Sequence, residues 1–114
     1  MVEVFGLENI LSKLIEFRDE RDWKRFHKPK ELATAISIEA SELQEHFLWR
    51  ESESLNEILE DTNRMNQIRM EIADIAIYLM YLIHDLKIDL SKSIIEKLEL
   101  NEKKYPKEKY KGRF

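Results

Sequence analysis

Apolar residues recur at helical spacing in four stretches of this chain. Leu7, Ile10, Leu11, Leu14 and Phe17 follow the i, i+3, i+4, i+7 pattern of one helix face and predict a first helix over 7–22, ending near Trp23. Pro29 suits a first-turn position, where its missing N–H costs nothing, and opens a second helix with a stripe from Leu32 to Phe47. The polar run 50–63 reads as a loop holding one short helical piece around Leu55–Leu59. A third helix over 64–86 contains IAIYLMYLI, apolar on nearly every side and expected at the centre of the core. That segment is too short to span a bilayer. Asp89 in KIDL has the form of an N-cap for a fourth helix running to about Lys104, where Tyr105-Pro106 stops it. No strand signal competes. The expected fold is all-α: a four-helix-bundle-like single domain over 1–114.

Two acidic pairs interrupt these apolar stripes. Glu39 and Glu42 lie in AISIEASELQ, bracketed by Leu32, Ile36 and Leu43; Glu71 and Asp74 lie in IRMEIADIAIYL, bracketed by Ile68, Ile72, Ile75 and Leu79. Residues three apart share a helix face, so each pair aims two carboxylates one way and packing two helices brings four together. Acidic residues number 23 of 114, so pairs at this spacing recur by composition alone. Most, such as Glu51 with Glu53 or Glu57 with Glu60, lie in polar stretches and read as solvated surface. Apolar surroundings set the other two pairs apart. Buried negative charge must be paired, protonated or metal-bound, and a hard divalent cation with oxygen ligands is the natural counter-ion.

Tyr78 follows Asp74 by four residues and Glu71 by seven, and so shares their face; Trp49 follows Glu42 by seven; Trp23 sits in the connection before the second helix. On the fourth helix Lys97, Asn101 and Lys104 fall at i, i+4, i+7. Aromatic rings beside metal-binding carboxylates and a Lys/Asn/Lys face suit a ligand with a flat base, a polyphosphate and bound Mg2+: a nucleoside triphosphate. The plainer alternatives are rings in a core or interface, a solvated basic face, and His27 capping locally beside Pro29. No HxxH or HExxH spacing supports zinc, and the absence of GxGxxG, GxxxxGK[ST] and GxSxG leaves P-loop, Rossmann and α/β-hydrolase chemistry without support.

The net charge of −4 and pI near 5.5 argue against a phosphate-dominated nucleic-acid surface, although KKYPKEKYKGR is locally basic. The chain has no cysteine, which excludes disulfides and thiolate chemistry and fits a reducing compartment. MVEVFGLENI lacks both a long apolar span and the basic n-region of a signal peptide, so the expected location is cytoplasmic, with no membrane partner. A core this small leaves apolar surface on the third helix exposed in a monomer, which implies self-association, at least as a homodimer and with a homotetramer open.

IEASELQEHFLW followed by EIADIAIYL resembles the E-x-x-E then E-x-x-D signature of the all-α NTP pyrophosphohydrolases, the MazG-like superfamily, and within it is most similar to the dCTP pyrophosphatase branch. ERDWKRFHKP, FLW, IADIAIYL, KIDL and KLELNEKKYP stand in the expected order, so the similarity runs from LENI to KKYP. The resemblance implies that Glu39, Glu42, Glu71 and Asp74 bind Mg2+, with Mn2+ as a substitute. It implies further that Trp23, Trp49 and Tyr78 form the base pocket and that Lys97, Asn101 and Lys104 or Tyr105 hold phosphates. Two positions depart from the pattern. Ile38 stands where many members carry a further Glu, and Leu14 stands where the vertebrate dCTP enzymes carry a pocket His.

The expected activity is hydrolysis of a (d)NTP, dCTP or a modified dCTP, to the monophosphate and pyrophosphate, serving nucleotide-pool sanitation. Glu39 or Glu42 would orient or deprotonate the attacking water. The rivals are a dUTPase-like enzyme, a phosphoribosyl-ATP pyrophosphohydrolase and a non-catalytic helical interaction module.

Overall fold

A computed structural model of the chain describes residues 7–113. It contains α1 (Leu7–Glu20), a 3-10 turn (Lys24–Phe26), α2 (Pro29–Glu45), α3 (Leu55–Glu60), α4 (Thr62–Asp85), α5 (Leu90–Lys104) and α6 (Lys107–Tyr110), with no strand among the described residues. The four main helices and the short piece after residue 54 fall where the apolar spacing puts them. α6 was not expected; Pro106 ends α5 and then serves as the N-cap of one further turn.

Local chemistry explains the boundaries. Pro29 occupies the first turn of α2, and the side chains of Ser54, Asp61 and Asp89 accept hydrogen bonds from the backbone N–H of Glu57, Arg64 and Lys92, capping α3, α4 and α5. With glycine nearly absent, ordinary residues make the reversals. Asp22 (φ 52°) closes α1 and Lys87 (φ 57°) closes α4, and the following N–H groups of Trp23 and Ile88 bond back to the carbonyls of Arg18 and Ile83, each at 3.0 Å.

α4 is the axle. α2 packs along it most extensively, and α1 and α3 pack against it to a lesser degree. The α2–α4 pair is antiparallel: His27, just before α2, lies against Tyr78 and Tyr81, whereas His46, just after α2, meets Arg64. The core between them is thin, with Leu32, Ile68 and Tyr81 as its buried hydrophobic side chains among the described residues. The expectation that IAIYLMYLI lies at the centre of the core therefore holds in part only, since Tyr81 is buried but Leu79 is 40% exposed.

The short connection to α4 and the phosphate-binding role expected of Lys97 predict that α5 packs antiparallel beside the acidic site, and it does not. Every residue of α5 except Asn101 is exposed, and Ile94, Ile95, Leu98 and Leu100 all present an apolar surface more than half open to solvent. The radius of gyration is 17.5 Å, against about 13 Å for a compact chain of this length. The cause is an apolar face on α5 that finds no counterpart within the chain.

α1 is fastened differently. Its one buried residue is Arg18, 1% exposed, whose Nη1 and Nη2 both donate to the Asp85 carboxylate at 2.8 Å while the guanidinium lies 4.5 Å from the centroid of the Tyr81 ring. The Tyr81 hydroxyl donates to the Leu14 carbonyl at 2.7 Å. Breaking a buried pair strands the partner charge, so Arg18→Met should cost about 3 kcal/mol or more in urea unfolding. Arg18→Met with Asp85→Leu should recover most of that loss. A single substitution that leaves the unfolding midpoint at its wild-type value would show that α1 is held by other contacts.

Candidate active site

Antiparallel pairing of α2 with α4 brings the acidic pairs face to face. Carboxylate oxygens of Glu39, Glu42 and Glu71 lie within 4.8 Å of one another. Asp74, one turn further along α4, stands outside that group but close enough for its charge to act on Glu39. Glu39 Oε2 and Glu71 Oε2 are buried without a hydrogen-bond partner, and among the described residues none of the four carboxylates pairs with a basic side chain. Orphaned buried oxygens in an all-carboxylate set fit a hard divalent cation, which demands oxygen ligands and supplies the missing positive charge.

The electrostatic cost of the cluster falls on Glu39. Burial pushes its carboxyl up to about 7, helped by the close carboxylates of Glu42 and Glu71 and by the negative charges of Glu42 and Asp74. Without a cation it therefore keeps its proton to a higher pH than a free carboxyl does.

Next to the carboxylates lies a cavity of about 530 Å³ between α1 and α4, walled by Leu14, Phe17, Trp23, His27, Tyr78 and Tyr81 among others and reaching Asp74. Its size suits a small organic ligand. Trp23 meets Phe17 edge-to-face at 5.7 Å, and His27 meets Tyr78 edge-to-face at 6.4 Å. The His27 imidazole is pushed down from its ordinary pKa by burial and by the Arg18 charge, against a smaller opposing pull from Asp85, and so stays neutral at pH 7. Two of the three aromatic residues singled out in the sequence, Trp23 and Tyr78, thus share one cavity with Asp74.

Trp49 does not join them within one chain. It follows α2 whereas Trp23 precedes it, and the 17 residues of α2 measure about 25 Å at 1.5 Å per residue. The Trp49 side chain is 94% exposed. Lys97, Lys104 and Tyr105 are likewise exposed, with Asn101 half-buried, on or just after α5, which stands off from the α2–α4 pair. Leu14, at the position where the resemblance places a pocket residue, does wall the cavity; Phe17 joins it where its spacing suggests core, and His27 faces the aromatic cluster. Arg18, falling on the same stripe as Leu11 and Leu14, was the available signal that this face meets something polar.

Comparison with known proteins matches residues 34–113 to the MazG-like family. This chain belongs to the MazG-like family. It is similar to dCTP pyrophosphatase 1 of Bos taurus, 34% identical over 100 residues that make up 88% of this chain and 59% of that protein. It is also similar to dCTP pyrophosphatase 1 of Homo sapiens, 32% identical with the same coverage. The chain therefore spans 59% of the length of these curated relatives. A pyrophosphatase of known crystal structure from Archaeoglobus fulgidus is 42% identical and superposes with a TM-score of 0.77 over 89% of this chain and 93% of that one. The all-α, MazG-type architecture follows from the helices and from this likeness together. No helix among the described residues is long and apolar enough to cross a membrane.

The MazG-like cluster makes stability depend on pH in a stated direction. Unfolded, Glu39 releases its proton near 4.5; folded, near 7. Between those values the unfolded state binds fewer protons, so stability in EDTA should fall as pH rises from 4.5 to 7 and then level off. Saturating Mg2+ should flatten the melting temperature over that window and raise it most near pH 8. An EDTA curve that climbs from pH 5 to pH 7, measured against Glu39→Gln as the non-titrating reference, would contradict the assignment.

Proposed function

We propose that the protein is a divalent-metal-dependent nucleotide pyrophosphohydrolase that converts a deoxynucleoside triphosphate, dCTP or a modified dCTP, to the monophosphate and pyrophosphate and so serves nucleotide-pool sanitation. The observation that carries this reading is the shared wall at Asp74: an aromatic cavity of base-binding size opens directly beside a carboxylate cluster with orphaned oxygens. The relatives, dCTP pyrophosphatase 1 and an archaeal pyrophosphatase, point the same way.

Glu39, Glu42, Glu71 and Asp74 would hold the cation, Mg2+ or in its place Mn2+. A divalent cation bound by these carboxylates supplies charge neutralisation at the phosphates and a water of lowered pKa. Glu39 or Glu42 would orient the attacking water and accept its proton as its oxygen bonds to the α-phosphorus; the bond from that phosphorus to the α–β bridging oxygen would break, and pyrophosphate would leave with that oxygen. Trp23 and Tyr78 hold the base in the cavity, and His27, neutral there, offers one donor and one acceptor to its edge.

The reading includes self-association. Trp23 and Trp49 can flank one base only if Trp49 comes from a second chain, because a helix length separates them within one. The open apolar face of α5 is the surface such an assembly would cover, bringing Lys97 and Asn101, with Lys104 and Tyr105, to the phosphates opposite the carboxylates.

A panel of canonical and modified nucleotides, assayed for pyrophosphate release, tests the proposal. dCTP or a modified dCTP should be consumed with Mg2+ and spared in EDTA. Glu42→Gln and Asp74→Asn should each lower kcat by about 100-fold or more while melting no lower than wild type in EDTA, since each relieves repulsion. Lys97→Met should lower kcat as well as raise KM, because charge grows on the departing pyrophosphate. If no nucleotide yields pyrophosphate, the protein is a helical interaction module instead.

A further inference from the structure

One side chain grips both ends of the segment that carries Trp49. Arg64, in the first turn of α4 and 6% exposed, donates through Nε and Nη2 to the His46 carbonyl at 3.0 and 2.6 Å. Through Nη2 it also donates to Glu53 Oε1 at 2.7 Å, and through Nη1 to Glu53 Oε2. Its guanidinium carbon lies 5.4 Å from the centroid of the Phe47 ring. His46 is the C-cap of α2 and Glu53 immediately precedes the N-cap of α3, so the guanidinium closes the loop between two helices and caps the negative end of one of them.

Between these two anchors Trp49 adopts a left-handed backbone conformation, φ 65°, and projects its indole almost wholly into solvent. Both features are unfavourable in isolation. A residue with a Cβ disfavours that conformation, and a bare indole gains nothing from water. A buried ion pair is likewise a poor source of stability compared with apolar packing, but its directional bonds specify one geometry. Spending such a pair on a loop whose middle is a strained, exposed tryptophan makes sense if the direction of that indole matters.

We propose that Arg64 is a positioning residue for nucleotide binding: by tying the His46 carbonyl to Glu53 it fixes the loop that presents Trp49 to the base. This rests on the role given to Trp49 above. Arg64 itself touches neither the carboxylate cluster nor the aromatic cavity. Lysine cannot reproduce its contacts, having no planar fork to span a carbonyl and a carboxylate at once.

The test is a double-mutant cycle on KM for dCTP with Mg2+, with melting temperature as the check on folding. Trp49→Ala should raise KM about fivefold or more, the lower range for losing a base–aromatic stack. Arg64→Lys and Glu53→Gln should each raise KM in the same direction while changing kcat at most twofold. In the Trp49→Ala background the two loop substitutions should have no further effect on KM, because both act through the absent indole. Effects that multiply instead, or loop variants that keep the wild-type KM while Trp49→Ala raises it, overturn the proposal. If Trp49→Ala alone leaves KM unchanged, the base-contact role of Trp49 fails first and the proposal falls with it, an outcome this single variant distinguishes. Should Arg64→Lys not fold, Glu53→Gln, which keeps its shape and an acceptor oxygen, decides between the same outcomes.

Discussion

The antiparallel packing of α2 along α4 is the constraint on which the other features depend. It sets one register: His27 against Tyr78 and Tyr81, Glu39 against Glu71, His46 against Arg64. Leu32 and Ile68 are buried between the two helices and lock that register through apolar contact. A slip of one residue would turn a helix face by about 100° and carry its carboxylates out of the shared site. The acidic cluster is therefore a product of packing, although like charge opposes the packing that creates it.

The charges elsewhere are arranged so that this repulsion stays local. At one end of the α2–α4 pair Arg18 neutralises Asp85, and at the other Arg64 neutralises Glu53, each guanidinium lowering the pKa of its carboxylate partner. Both arginines are buried and both reach across elements. The cluster midway between them has no basic side chain as partner among the described residues. A protein with 19 basic side chains that keeps them away from one group of carboxylates, two of whose oxygens are buried without a partner, has left room for a positive charge it does not itself carry.

Helix positions were legible in the sequence because spacing and capping are local. The Leu7–Phe17 stripe, Pro29 and Asp89 each act within one or two turns, and each marks a boundary that the structure keeps to within a few residues. The meeting of Glu39, Glu42 and Glu71 was legible for the same reason, since i, i+3 pairs need only one helix packing to meet, whereas Asp74 stands one turn outside the group. What depends on distance was not. Arg18 and Asp85 are 67 residues apart, and nothing in either neighbourhood names the other. The offset between Trp23 and Trp49 follows from the length of α2, yet a single chain read as a closed bundle hides it. The position of α5 was misjudged because a short connection implies proximity, whereas the apolar face of α5 finds no matching surface in its own chain.

The fastening of α1 divides the site in a way that static geometry understates. α1 buries no apolar side chain fully and is held chiefly by the Arg18–Asp85 pair and the Tyr81–Leu14 hydrogen bond, whereas α2 and α4 share the buried apolar core. Native proteins open in cooperative units, and a helix anchored by few contacts opens at less cost than one embedded in a core. When α1 lifts, one wall of the aromatic cavity goes with it, while the carboxylates on α2 and α4 keep their register. The carboxylate cluster and the aromatic cavity thus belong to different cooperative units of the fold, and the first can keep its geometry in a state that has lost the second.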